Sequence, residues 1–532
     1  MRRSSALTIA AAAALAVPAA QAMHVDPHGL GQVLVFPYYT ANGGNDTLIA
    51  ITNSSANAKA LKVRFHEGYD GRGVLDVNVY LPAHAQWSAS VTSSGDDASP
   101  ARLVASADVC TVPAAASASR AIDFSDASYA GANALDAPTG NADGAPTTSD
   151  RTREGHFDVF EMGEVTGNAH GSLDAIAAAD CAALAAAWGS GGYWAANPSA
   201  DLGAPAGGIY GEEYVVNVAR GTMFGVAPIA IDGFASAVQH GAPGASTPDL
   251  DSATPTADGR YEALVVADGT LRDLFYADPV DAVSALFMTD GLRGDFIHSA
   301  SLGALTDWIV TAPTKRFYVD PARIGIGHPA EAPFEHGFAQ AYIGGRETVG
   351  GVTVDEWGSA FPYACEKTGA TAYARDGSAI ALGAFDSGGP VDGAPPEWSN
   401  PAVTPCLETS VFSFATLADS QNIPQPLSAL GSELLNATDG HSGRNFDLGT
   451  TLLPEAGSVF VDFAHDAGGT AVEAHRLAAA ANGDVLVGLP VVAFAATTFV
   501  NGNVADGVLS NYSGSVPVRG VVTCVNGAGA CR

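Results

Sequence analysis

The sequence predicts a mainly β protein: an N-terminal immunoglobulin-like antiparallel sandwich followed by further β structure with two short helices. Three observations carry this expectation. Five β-like runs lie between Gly31 and Val91, separated by turn signals. Within them, Leu61, Val63 and Phe65 alternate with Lys62, Arg64 and His66, which predicts a strand with one buried and one wet face. Helical periodicity, by contrast, is confined to two later stretches.

Taken in order, residues 1–22 read as an export signal. Arg2 and Arg3 form its charged start, Ala6 to Ala19 a short apolar run, and Ala20-Gln21-Ala22 a small-x-small cleavage site. The mature chain is therefore expected to begin at Met23 and to lack a transmembrane segment. Residues 23–113 form the expected sandwich, with runs Val33–Tyr39, Thr47–Asn53, Leu61–Glu67, Leu75–Leu81 and Gln86–Val91. Asn42-Gly43-Gly44-Asn45 and Asp70-Gly71-Arg72-Gly73 supply turn residues that tolerate positive φ. Residues 114–151, rich in Ala, Ser, Asp, Gly and Thr, read as a polar loop or linker.

The middle region, 152–320, is expected to be β-rich with helices near 172–188 and 279–289. In the first, Ile176, Leu184 and Trp188 share a face with Cys181, and Ser172 is the expected cap. In the second, Asp278 precedes Pro279 at the first turn. Asp307 to Asp320 reads as a long strand interrupted by Pro313, at a sheet edge or bulge. Residues 321–532 form a C-terminal β-rich region, its strongest strand signals at Leu407–Phe414, Ser458–Phe463 and Val485–Phe494.

The apolar content of 47% provides for real cores, and the formal net charge of −32 comes from 56 acidic against 24 basic residues. Such a balance argues against nucleic-acid and anionic-membrane partners, which need basic patches. In an exported chain six cysteines read as disulfides, and six allow 15 connectivities. Order along the chain favours Cys110–Cys181, Cys365–Cys406 and Cys524–Cys531, with a C-x-x-C metal or redox spacing absent.

The set VFPYYT (Val35–Thr40), DTLIAITN (Asp46–Asn53), KVRFHEG (Lys62–Gly68) and PTKRFYVD (Pro313–Asp320), with GLPVVAF (Gly488–Phe494), resembles a family of exported proteobacterial proteins. The likeness covers most of the expected mature chain. The family has no established activity, so the resemblance implies a bacterial envelope or extracellular setting and transfers no catalytic residue.

Candidate chemistry is sparse. His66-Glu67 is the most enzyme-like pair, but adjacent strand residues face opposite sides, which favours a solvated strand end. His24, Asp26 and His28 suit copper only if His24 were the terminal residue; otherwise they read as a flexible terminus. Gly440-His441-Ser442-Gly443 falls short of a nucleophile elbow, and Gly325 to Ala330 is a weak phosphate-loop match broken by Pro329. Glu161 and Glu164 form one carboxylate pair among many and read as solvated. Asn501, Asn503 and Asp506 place side-chain oxygens that suit calcium, although turn formation explains them equally well.

The expectation is an exported non-catalytic surface, matrix or adhesion protein, located extracellularly, at the cell surface or in the periplasm. Its partners would be a surface polymer, a protein or its own copies. The alternative is an extracellular hydrolase acting on polysaccharide through carboxylates the sequence does not identify.

Overall fold

The computed structural model describes residues 22–113 except 94, 96 and 97, then 120–130 and 146–324. Beyond that it describes 330–335, 347–349, 352–354, 366–382, 405, 407–434 except 415 and 419–423, and 455–531 except 467, 507 and 528. The fold is mainly β, and among the described residues nearly all pairing is antiparallel and helices have seven residues or fewer.

Each of the five N-terminal runs is a strand: Val33–Thr40, Asp46–Asn53, Ala58–Glu67, Gly73–Leu81 and Gln86–Ser93. They divide between a ten-stranded and a six-stranded sheet. Leu34, Phe36, Leu61, Val63, Phe65, Phe157 and Val159 of the larger sheet meet Ile49, Ile51, Trp87, Val91 and Leu103 of the smaller in one core. Phe36 stacks on Phe157 with ring centroids 4.3 Å apart, a contact that adds to the area they bury.

The larger sheet extends well past residue 113. Glu154–Val165 sits at its centre, between Val33–Thr40 and Ala58–Glu67, and Ile229–Asp232, Tyr261–Ala267 and Thr270–Tyr276 continue it. The stretch read as a polar linker also contributes: Ala121–Asp123 pairs with Ala101–Ala105, and Phe124 and Tyr129 are core residues. Met23–Val25 is likewise a strand, pairing with Ile229–Asp232 and Tyr261–Ala267, where a flexible terminus was expected.

The other face of the larger sheet is not solvent. Val33, Val35, Phe160 and Ile231 pack against Val283, Trp308, Phe412, Val459 and Leu486 in a second core. The larger sheet is thus a middle layer, and Val33–Thr40 is buried along its whole length. Pro37 is tolerated there because the pairing with Glu154–Val165 slips between Gly155 and Phe157. The Pro37 carbonyl instead accepts from Thr311 Oγ1 at 2.5 Å.

Two expectations along the middle region change. Ser172 to Trp188 is two helices, Ser172–Ala177 and Cys181–Ala187. Ala179 adopts φ of 51° between them, and Asp180 caps the second by accepting from the Ala183 N–H. Ile176 and Leu184 still share the buried side, so the apolar stripe survives the break. Ser172 does not cap; its hydroxyl donates to Asp201 at 2.6 Å. The second helix, Pro279–Ala285, is capped by Asp278 through the Val280 N–H.

Asp307 to Asp320 is not one strand. Ala304–Thr311 lies inside a four-stranded sheet, between Thr409–Ser413 and Val492–Ala505, and Pro313 separates it from the helix Lys315–Val319. The proline ends the strand because it cannot donate to the ladder and favours the turn into a helix. Cys110 is bonded to Cys181 and Cys524 to Cys531; Cys365 and Cys406 lie outside the described residues. Among the described residues, no helix is long and apolar enough to cross a membrane.

Candidate functional site

Ala58–Glu67 and Glu154–Val165 run antiparallel with His66 opposite His156 and Arg64 opposite Asp158. Alternation therefore places Lys62, Arg64, His66, His156 and Asp158 on one face of the middle sheet. Contrary to the expected wet face, all five are buried, as is every residue of Ala58–Glu67. A second layer covers them, made by the loop carrying Asp249, the helix Lys315–Val319 and Glu408.

Arg316 is the hub of that layer. Its guanidinium reaches Asp249 Oδ1 at 2.7 Å, Glu408 Oε1 at 2.6 Å, the Pro313 carbonyl at 2.6 Å and Asp158 Oδ2 at 3.7 Å. Asp249 also meets Arg64 at 2.8 Å and Arg323 at 3.1 Å. Burial alone would raise Asp249, but Arg316, Arg64, His66 and Arg323 together hold it well below the usual carboxylate range. Asp158 accepts no hydrogen bond, and burial pushes it up to about 7 against the opposing charge of Arg316. Both histidines are held well below their ordinary value, first by burial and then by Arg316.

His66 and Glu67 do face separate surroundings, but neither is solvated. Glu67 is 0% exposed and accepts from Arg151 at 2.8 Å and 3.0 Å and from the Tyr69, Asp70 and Arg72 N–H groups. Arg151 in turn lies over the Tyr129 ring at 4.3 Å.

Glu161 and Glu164 are also engaged rather than solvated. The ladder slips between Glu161 and Gly163, so both carboxylates come to one lysine: Lys59 Nζ is 2.7 Å from Glu161 and 3.1 Å from Glu164. Glu161 further accepts from the Ala206 and Gly207 N–H groups.

The remaining sequence candidates are dispersed. Asn501 donates to the Ser510 carbonyl across a hairpin, Asn503 pairs there with Leu509, and Asp506 is exposed at the turn. His24 lies in the first strand, and Asp26 accepts from the His28 and Leu30 N–H groups. Gly325 to Pro329 and Gly440 to Gly443 lie outside the described residues. Trp188 is half-buried and donates to the Tyr80 hydroxyl at 2.7 Å, a packing role.

Sequence reading missed Asp158, Asp249, Arg316 and Glu408. A signal was present in the basic residues: the chain has four lysines, and Lys59, Lys62 and Lys315 are fully buried. Lys59 and Lys315 enter ion pairs, and Lys62 donates to the Ala242 carbonyl, so scarce lysines inside strand-like runs mark polar contacts within the fold.

Three polar groups could hold an ion, since His66, His156 and Asp158 bring ligand atoms within 4.8 Å of one another. All are at most 1% exposed, so no substrate reaches them as the chain stands. Two surface hollows lie elsewhere. One, of about 480 Å³, lies on the outer face of the six-stranded sheet beside Leu48, Ala50, Ser88, Ser90 and Tyr214. The other, of about 350 Å³, is lined by His28, Leu30, Tyr210, Glu212 and Pro228. Comparison with family profiles, with curated proteins and with solved structures finds no match to this chain.

Proposed function

We propose that the chain is an exported, non-catalytic surface, matrix or adhesion protein. The observation that carries this reading is the use made of its titratable groups. Those named from the sequence as acid–base or carboxylate pairs are engaged within the fold: Glu67 with Arg151, Glu161 and Glu164 with Lys59, and His66 buried beneath the Arg316 layer. Catalysis needs such groups convergent in an open cleft. A hydrolase would need two carboxylates facing across a gap, whereas Glu161 and Glu164 close on Lys59.

Two disulfides and an acidic composition suit an extracellular setting. The outer face of the six-stranded sheet, with Leu48, Ala50, Ser88, Ser90, Tyr210 and Tyr214, supplies a broad surface of small side chains and two tyrosines for adhesion.

Co-sedimentation of the purified chain with chitin, cellulose, peptidoglycan and whole bacterial cells tests the reading, with released reducing sugar measured in parallel. Retention without sugar release is expected, weakened by the paired change Tyr210→Ala and Tyr214→Ala. Sustained sugar release, abolished by substituting a carboxylate, would replace this reading with the hydrolase.

A further inference from the structure

We propose that His66, His156 and Asp158 form a binding site for one divalent transition metal, with zinc the best match, taken up as the chain folds. The backbone supplies the first argument. His156 and Asp158 are two apart on one strand, and His66 is directly opposite His156 on its neighbour. That register sets three side chains on one face of a rigid sheet, and their ligand atoms lie within 4.8 Å of one another. Two imidazoles and a carboxylate are the ligand types that zinc takes in tetrahedral sites.

The second argument is independent of that placement. Both Asp158 oxygens, His66 Nε2 and His156 Nδ1 are buried without a hydrogen-bond partner. Orphaned polar atoms in a folded interior cost about 1–3 kcal/mol each, so four in one place need an explanation. His66 also has the tautomer a ligand needs. Its Nδ1 lies 3.0 Å from the Gly71 carbonyl, which can only accept, so Nδ1 carries the proton and Nε2 presents its lone pair.

Two features bear on how the ion would be held. Arg64 and Arg316 repel a dication, but each is already matched, Arg64 by Asp76 and Arg316 by Asp249 and Glu408. Asp158 is the carboxylate left without a hydrogen bond. The imidazole planes lie 13° apart with centroids 4.9 Å apart, so one ring must turn to bring both lone pairs to a common point. His156 is the freer ring, since its nearest donor, Arg316 Nη1, is 3.4 Å away. Because the site is sealed, the ion enters during folding and exchanges slowly afterwards.

The test is refolding of the reduced, denatured full chain under oxidising conditions with zinc sulfate or with EDTA, then gel filtration in EDTA and elemental analysis. One zinc per folded chain is expected in the first sample, and a cobalt-refolded sample should show the visible absorption of a tetrahedral cobalt site. Asp158→Asn and His66→Gln should each lower retained zinc at least about tenfold. Should either variant fail to fold, the wild-type zinc content and cobalt spectrum still decide. Folded wild-type chain that retains no zinc after refolding in it overturns the proposal. So does zinc retained undiminished in both folded variants.

Discussion

Arg316 shows why single residues matter more here than their number suggests. Its two terminal nitrogens reach carboxylates contributed by distant segments, Glu408 through Nη1 and Asp249 through Nη2. Removing it would take from the buried Glu408 its arginine partner and leave Asp249 to Arg64 and Arg323. Arg316→Met is expected to cost roughly 3–5 kcal/mol, the usual loss when one partner of a buried ion pair is removed. Arg316→Lys should recover only part of this, because an ammonium cannot reproduce the planar fork. Urea unfolding of the three proteins checks both statements, and a loss below about 1 kcal/mol for the methionine variant would refute them.

A second residue gives a pH-dependent signature. Asp307 is 0% exposed, accepts from Ser428 Oγ and the Leu430 N–H, and is pushed up to about 6 by burial. Its folded value lies above its unfolded value. Its contribution is therefore fully present below about pH 4 and is lost as pH rises through about 6. Asp307→Asn, which keeps an acceptor but cannot ionise, should gain on the wild type between pH 4 and 7 by on the order of 1–3 kcal/mol. Unfolding midpoints of the pair at pH 4, 5.5 and 7 measure it; a constant difference would show that Asp307 does not titrate in that window.

At the scale of elements, the first five strands were legible because turn residues such as Gly, Asn and Pro separate the runs, and Leu61 to His66 carries period-2 alternation. What alternation cannot supply is the identity of the medium beyond each face. Lys62, Arg64 and His66 have the pattern of a wet face, and a strand under a second polar layer has the same pattern. Pro313 misled for a related reason: it marks a break, but strand, bulge and strand-to-helix turn all accommodate one. The break at Ala179 was hidden because Ile176 and Leu184 keep helical spacing across it.

Gly155 is an element-scale requirement. A Cβ there would meet the His66 backbone carbonyl oxygen, which cannot yield without parting the two central strands. Gly155→Ala should therefore destabilise by at least about 1–3 kcal/mol, in the range of overpacking, despite the better intrinsic propensity of alanine. Equilibrium unfolding tests this, and a neutral result would mean the strands are not in this register. The bridge between Cys110 and Cys181 fixes the helix Cys181–Ala187 to the strand Cys110–Val112. Replacing both cysteines with serine should cost about 2–4 kcal/mol, again read by unfolding.

For the whole molecule, the middle sheet explains why N-terminal and C-terminal halves were hard to divide from sequence. Its strands come from residues 23 to 276, and both faces of its central strands are covered, one by the six-stranded sheet and the other by elements that include strands beyond 290. Contacts at such sequence separation leave no local trace. The acidic excess was legible, and it has a consequence at this scale: 56 acidic against 24 basic groups must repel across the surface. The melting temperature should rise between 0.05 and about 1 M sodium chloride, since salt screens exposed charges far more than buried pairs. A melting temperature that falls with salt would contradict that balance.

The central claim is that His66, Glu67, His156 and Asp158 of the middle sheet are sealed against solvent and serve the fold rather than turnover. Histidine labelling of the native chain with diethyl pyrocarbonate, mapped by mass spectrometry, addresses it most directly. His28, His84, His170 and His465 are exposed, whereas His66, His156 and His475 are at most 1% exposed. The expected result is modification of the first four while the latter three stay unmodified until the chain unfolds. Modification of His66 and His156 at the rate of the exposed histidines would contradict the account, because it would place an open, reactive site where a closed ionic layer is described.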